Sequence, residues 1–330
     1  MSLEPTVVPF QQSRAPRHYN LPLYPASWYL FAESRAIRRR PIVKTMFGRD
    51  LVAFRTAAGQ VAVMDARCSH AGADLGSGCV VGETIQCPFH GWRYGADGRC
   101  VGIPSGSAIP EFARQKSYAV QERHGFVFLF NGATPSFPLP WFDDVEPEAM
   151  AASRPFAFTA PTPWPSVTGH AFDLQHFLHV HDRRLVEPPV IDTPAPYVRR
   201  IRYRAEVVPR NFRDRLLSRA GGSVVEASLV IWGGTFSVIT ARFERFTSRF
   251  MMIMRPLGRR ETLCEGLVFG ARPWRMLLPV RRYFTHAYLL EESQTLGSAS
   301  YAPERFVEAD RPLIDYFEFL EGIAEPGELL

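Results

Sequence analysis

Cys68-Ser69-His70 and, further along, Cys87-Pro88-Phe89-His90 are the two stretches on which the reading of this chain turns. Each offers one soft thiolate and one imidazole. The second runs on into Gly91-Trp92, a turn signal. Zinc sites also use two Cys and two His, but their short pairs join Cys to Cys and His to His. Here each short pair mixes the two types. That arrangement suits two loops closing over a two-metal cluster, with one iron on sulfur and the other on nitrogen.

The stretch from Asp65 to Pro104 includes Asp-Ala-Arg-Cys-Ser-His-Ala-Gly-Ala-Asp-Leu-Gly, then Gln-Cys-Pro-Phe-His-Gly-Trp-Arg-Tyr, then Ile-Pro. It resembles the Rieske domain of the Rieske non-haem iron oxygenases. Phe126-Val127-Phe128-Leu129-Phe130 is similar to the strand that closes that domain. The resemblance implies a [2Fe–2S] cluster held by Cys68, His70, Cys87 and His90. His18 and His124 match no motif position and read as surface or packing residues.

A chain of 330 residues can bury two cores. No apolar run is long enough for a membrane-spanning helix. The first sixteen residues lack the apolar core of a signal peptide, so a cytoplasmic protein is expected. Beyond Cys68 and Cys87, the remaining Cys79, Cys100 and Cys264 are no disulfide framework and read as free small hydrophobes. The net charge of +5 is carried almost wholly by Arg. Arg38-Arg39-Arg40 reads as a solvated face, with docking of an acidic electron donor as the alternative. Nothing interleaves basic and aromatic residues as nucleic-acid binders do.

Composition and patterning divide the chain into four parts. Residues 1–19 are a lead-in. Residues 20–135 form a small all-β domain of short strands and Gly or Asp turns, including a hairpin around Phe47-Gly48-Arg49-Asp50. Residues 136–165, punctuated by Pro, read as a connection lying over the surface. Residues 166–330 form the second domain, with a helix over 166–182, strands over 198–270, a turn at 255–260 and a helix over 303–323 that restarts at Pro312 behind an Asp310 cap. The fold class is α+β. The resemblance implies a helix-grip fold whose cavity holds a mononuclear iron.

His170, Asp173, His176, His179 and His181 fall within twelve residues. Two His and one carboxylate are the facial set of non-haem Fe(II) oxygenases. Asp173 and His176 are three apart and share a helical face. Spacing alone names His179 as the next partner, since His181 lies about 140° away on an ideal helix. The resemblance points elsewhere: Asp173-x-x-His176-x-x-x-x-His181 is similar to the family element whose two His bind iron and whose Asp bridges to the cluster of a neighbouring subunit. It implies His176 and His181 as ligands and Asp173 as the electron bridge. His179 becomes a neighbouring pocket residue, and His170, standing where relatives often carry Asn, takes no role. For the third ligand the resemblance places Glu292 where the family has Asp, with Glu291 and Asp310 as alternatives.

The resemblance further implies an O₂-dependent monooxygenase or desaturase acting on a bulky apolar compound such as a steroid or polycyclic substrate, fed by a reductase or ferredoxin, in a homotrimer. The branch that includes the 3-ketosteroid 9α-hydroxylase oxygenases and cholesterol 7-desaturases is the nearest in motif. The aromatic and Met content of residues 229–254 suits an apolar cavity and a plain core equally. The competing class is an electron carrier or sensor with a degraded mononuclear site, which the Glu-for-Asp change at Glu292 feeds.

Overall fold

The computed structural model describes residues 19–176, 183–207, 215, 219, 221–296, 301, 305–325 and 328–330, with backbone only at Arg183, Glu292 and residues 294–296. His18, His179 and His181 lie outside the described residues.

The chain begins with β1 (Trp28–Glu33), β2 (Ile42–Met46), β3 (Arg49–Arg55) and β4 (Val61–Asp65). The β2–β3 loop is two residues, Phe47 and Gly48, both at positive φ (53° and 71°). That is the turn geometry whose twist matches a hairpin's strands. The chain then leaves the sheet to form β5 (Cys79–Val81), β6 (Thr84–Gln86), β7 (Arg93–Gly95) and β8 (Cys100–Gly102), a small antiparallel sheet. It returns as β9 (Ser117–Arg123) and β10 (Phe126–Phe130), giving the order β1-β10-β9-β4-β3-β2. Every residue of β10 is buried. A strand covered on both faces reads as a continuous apolar run, which explains Phe-Val-Phe-Leu-Phe.

The Pro-rich stretch is not a surface connection. Phe137, Leu139 and Phe142 are buried, and β11 (Met150–Ala152) and β12 (Phe156–Ala160) pair with the last strand of the second sheet. Pro forbids a central ladder position but tolerates the gaps between short edge strands. After α1 (Trp164–Gly169), the second sheet is completed by β13 (Arg183–Leu185), β14 (Val190–Ala195), β15 (Val198–Val207), β16 (Val224–Trp232), β17 (Phe236–Phe243), β18 (Thr247–Gly258) and β19 (Glu261–Ala271). Neighbours pair antiparallel in the order β11-β19-β18-β17-β16-β15-β13. The turn expected at 255–260 is confined to Arg259-Arg260. Arg255 and Pro256 stay in β18, where buried Arg255 meets buried Glu265 of β19. Among the described residues, the α-helices that follow are α2 (Leu278–Leu296) and α3 (Arg311–Ile323). The sequence reading missed α2 and started the last helix eight residues early. Pro312 does sit in the first turn of α3.

The cores of the two domains are not separate. Trp28, Tyr29, Phe31 and the whole of β10 share one apolar cluster with Phe236 and Val238 of β17, Met251 and Ile253 of β18, and Leu267 and Phe269 of β19. Lys44 of β2 reaches Glu265 across the same boundary, at 3.7 Å. The other face of β18 carries Met252 and Met254, which pack with Phe156, Ala160, Cys264 and Leu278. The apolar stretch over 229–254 is therefore core along β18.

Candidate metal centres

Two loops present the Cys/His pairs, and they are built alike. The Gly72 amide donates to the Cys68 carbonyl at 2.8 Å, and the Gly91 amide donates to the Cys87 carbonyl at 3.1 Å. Both glycines sit in the left-handed region, at φ 72° and 71°. An added Cβ at Gly91 would stand 2.9 Å from Pro104, so glycine is needed there for both conformation and space. The loops close with Cys68 and Cys87 buried and His70 and His90 exposed. The two imidazoles lie 4.7 Å apart, and His70 stacks on Trp92 at 4.2 Å. Burial pushes the Cys87 thiol up, and the neighbouring Cys68 adds to this; the amides of Phe89 and His90 pull it down. A metal that takes the proton's place relieves two thiols crowded in this way.

The loops are pinned from behind. The Gln115 side chain accepts from the Ser69 amide at 2.8 Å and donates to the carbonyls of Asp65 and Arg67 at 3.0 and 2.8 Å. The hydroxyl of fully buried Tyr94 lies 3.1 Å from both Cys68 Sγ and Ser69 Oγ. Burial, then the Cys68 thiol, push the Tyr94 phenol well above its ordinary range, so it stays a proton donor. Sequence reading missed both residues. They lie outside the Cys/His motif, and only the folded loops bring them to it.

The second centre forms where α1 ends. The helix expected over 166–182 stops at Gly169, tightens through a 3₁₀ turn at His170–Phe172, and breaks at Asp173, whose ψ of 91° is extended. Gly169 packs against α3, with an added Cβ only 3.1 Å from Leu313 and 3.3 Å from Phe317. That close approach fixes where His170 emerges. His170, Asp173 and His176 each offer a ligand atom within 4.8 Å of the others. Both imidazoles are buried, with ring centroids 3.7 Å apart. Tyr301 joins the group, its hydroxyl 3.3 Å from His170 Nδ1 and 3.2 Å from Asp173 Oδ2. His176 Nδ1 bonds the Asp173 backbone carbonyl, which fixes the orientation of its ring.

The remaining site residues of the sequence reading fall differently. Glu292 belongs to α2 by its backbone, and Glu291 is exposed on the same helix. Asp310 stands at the N-terminus of α3, but its oxygens are already engaged. Oδ2 accepts from the Val307 amide at 2.9 Å and Oδ1 from Gln175 Nε2 at 2.7 Å. It tethers the His176 loop to α3 and does not cap that helix with its own side chain. His124 sits in the β9–β10 turn at φ 52° and stacks on Trp141, a packing residue as its lack of motif implied. None of the five cysteines, all among the described residues, is in a disulfide.

Residues 27–113 match the family model described as the Rieske [2Fe-2S] domain. The chain carries a Rieske [2Fe–2S] domain. This Rieske chain is 38% identical over 166 residues to aminopyrrolnitrin oxygenase PrnD of Pseudomonas fluorescens, covering 47% of this chain and 46% of that protein. It is 30% identical over 165 residues to the oxygenase component of 3-ketosteroid-9-alpha-monooxygenase of Rhodococcus rhodochrous, covering 47% of this chain and 42% of that one. The matches thus span about half the length of the curated relatives. Over the whole fold, the crystal structure of dicamba monooxygenase bound to dicamba superposes with a TM-score of 0.65 at 17% identity, covering 90% of this chain and 97% of that one. The Rieske chain therefore has the α+β fold of these oxygenases, and its matched domain implies a [2Fe–2S] cluster. No helix among the described residues is long and apolar enough to cross a membrane.

Proposed function

We propose that this chain is the oxygenase component of a Rieske non-haem iron oxygenase. The observation that carries this over an electron carrier is the second centre: buried His170 and His176 with Asp173, in the domain that follows the cluster loops. A chain that only carried electrons would have no use for this buried set.

In this reading Cys68 and Cys87 hold one iron of the cluster inside the domain. His70 and His90 hold the other at the surface, where an electron can enter and leave. His176, His181 and Glu292 hold the mononuclear iron. When bound, the cluster would supply single electrons and the mononuclear iron would supply the O₂ chemistry. The chain's own residues do the positioning. The Asp173 carbonyl fixes the tautomer and tilt of His176, and the Asp173 carboxylate, held by Tyr301 and the Gln175 amide, bridges toward the cluster of a neighbouring subunit. Such exchange needs more than one copy of the chain, and a homotrimer is the assembly that the resemblance to the family implies. Exposed cluster histidines suit a reductase or ferredoxin as donor.

The substrate class we infer is a bulky apolar compound, hydroxylated by monooxygenation or desaturated, in the cytoplasm. Relatives named for aminopyrrolnitrin, a 3-ketosteroid and cholesterol support this, and all three names denote largely apolar ring compounds. Iron analysis tests the whole reading. Three irons per chain, with O₂ uptake coupled to an apolar substrate, are expected. Two irons per chain would leave only a carrier. His181→Ala and Glu292→Ala should each drop the count from three to two, while Asp173→Asn keeps all three irons and stops turnover.

A further inference from the structure

We infer that the outer face of the segment from Arg272 to Leu290 docks on an anionic lipid surface. The segment starts as a 3₁₀ stretch (Arg272–Leu277) and runs on into α2. One side of α2 is accounted for. Leu278 is buried among Phe156, Cys264 and Val268, Leu289 packs against the same cluster, and the His286 ring lies 4.9 Å from Phe156. A surface helix with one side in the core carries polar residues on the other. Here the outer side is apolar as well. Val280, Tyr283 and Phe284 recur at helical spacing and are exposed, and Trp274, Met276 and Leu277 extend the apolar run through the 3₁₀ stretch. Trp274 is 65% exposed and Met276 85%. Six large apolar side chains exposed on one segment exceed the single, scattered exposures of an ordinary surface and mark a contact face.

Charge selects the occupant. Residues 272–290 hold Arg272, Arg275, Arg281 and Arg282 and no Asp or Glu. Arg272 donates to the Glu148 backbone carbonyl, Arg281 to that of Thr247, and Arg282 to those of Arg154 and Pro155. Such bonds fix the side chains and leave their charges uncancelled. Arg275 is exposed, next in the chain to Trp274. A second copy of the chain brings the wrong sign: its net charge is +5, and a two-fold contact of this face with itself sets four Arg against four Arg. Anionic headgroups supply the opposite charge, and the acyl boundary beneath them takes the apolar side chains. Trp and Tyr favour that boundary because each joins an apolar ring to a polar tip, and Arg buries its stem while its head stays among the phosphates. The helix lies on such a surface and does not cross it, since no described helix is long and apolar enough to span. Lipid docking deepens the substrate reading above: an apolar compound partitions into lipid, and a chain seated on the bilayer meets it there.

The test is flotation of the full chain with lipid vesicles, which reads binding and not turnover. Wild type should float with vesicles of equal parts phosphatidylcholine and phosphatidylglycerol at least about tenfold more strongly than with phosphatidylcholine alone, and molar salt should erase that difference. Met276→Gln combined with Tyr283→Gln should weaken binding to the mixed vesicles about 100-fold. Arg275→Glu should weaken it about tenfold and leave binding to the neutral vesicles unchanged. All three side chains are exposed, so the fold should hold, and a thermal melt beside each measurement checks it. Lipids brominated on the acyl chain should quench part of the tryptophan emission, and Trp274→Phe should lose that quenching. Wild type that floats with neither vesicle would overturn the inference, as would binding unchanged in both the double variant and Arg275→Glu. Wild type that ignores vesicles, with an oligomer that dissociates in the double variant, would assign the face to a second copy of the chain and overturn it too. A chain that floats as expected yet holds only two irons would keep the lipid face and sink the oxygenase reading alone.

Discussion

Replacing Tyr94 by Phe removes one oxygen atom from beside the cluster and should lower its reduction potential. The Tyr94 hydroxyl stands 3.1 Å from Cys68 Sγ and stays protonated, because burial and the neighbouring sulfur both disfavour its anion. With Cys68 bound to iron as thiolate, the phenol is the donor. A hydrogen bond to a charged group is worth about 1.5–3 kcal/mol. It is made in both oxidation states, but it is stronger on the reduced cluster, whose sulfurs carry more charge. Taking the difference as roughly 1 kcal/mol, and about 59 mV per tenfold for one electron, the potential should fall by about 40 mV. The perturbation is clean, since Phe keeps the ring in its buried slot and Ser69, the other partner of the hydroxyl, is only half-buried. Ser69→Ala is the control: it leaves the Tyr94–Cys68 contact in place and should shift the potential by much less. A redox titration followed by visible circular dichroism reads both variants. A potential for Tyr94→Phe equal to or above that of wild type would refute the donor role of Tyr94, and with it the placing of Cys68 on iron.

Three further outcomes are expected. Gln115→Ala removes three hydrogen bonds to the first cluster loop, each worth about 1 kcal/mol, so cluster absorbance under chelator should bleach about two orders of magnitude faster; a wild-type rate would show that the loop holds without its staple. Glu265→Gln leaves Arg255 and Lys44 facing each other without their shared carboxylate and should cost about 3 kcal/mol in urea unfolding, with both domains melting together because they share a core; independent melting would contradict that shared core. Asp144 is held below the ordinary carboxylate range by hydrogen bonds from Arg249 and Arg242, so its contribution is complete above the unfolded carboxylate pKa and is lost as pH falls through the lower folded value. Asp144→Asn should therefore cost about 1 kcal/mol at neutral pH and flatten the stability profile below about pH 4, as read by thermal melts across pH.

The cluster loops were legible from residues alone because their chemistry is local. Each ligand pair spans three or four residues, and the glycines that let the loops turn lie one or two places further on. Strand periodicity likewise marked β15 to β19, and the Phe-Val-Phe-Leu-Phe run marked the buried strand that closes the first domain. Pro312 announced the start of α3.

What the sequence could not decide was set by contacts between distant segments. The Pro-rich stretch looked like a surface linker, yet two of its short runs pair with β19, because a strand's place in a sheet depends on a partner more than a hundred residues away. The helix through the histidines looked continuous, yet it breaks at Asp173, and the break turns a helical face into a converging cluster. Asp310 had the right type and place for a cap or a ligand, but Gln175 claims one of its oxygens. Gln115 and Tyr94 carry no motif, since a second layer of support is defined only by distance. The sequence by itself determined which groups could hold metal. The tertiary structure decided which of them meet and what holds them in place, because burial and hydrogen bonding act through space and not along the chain.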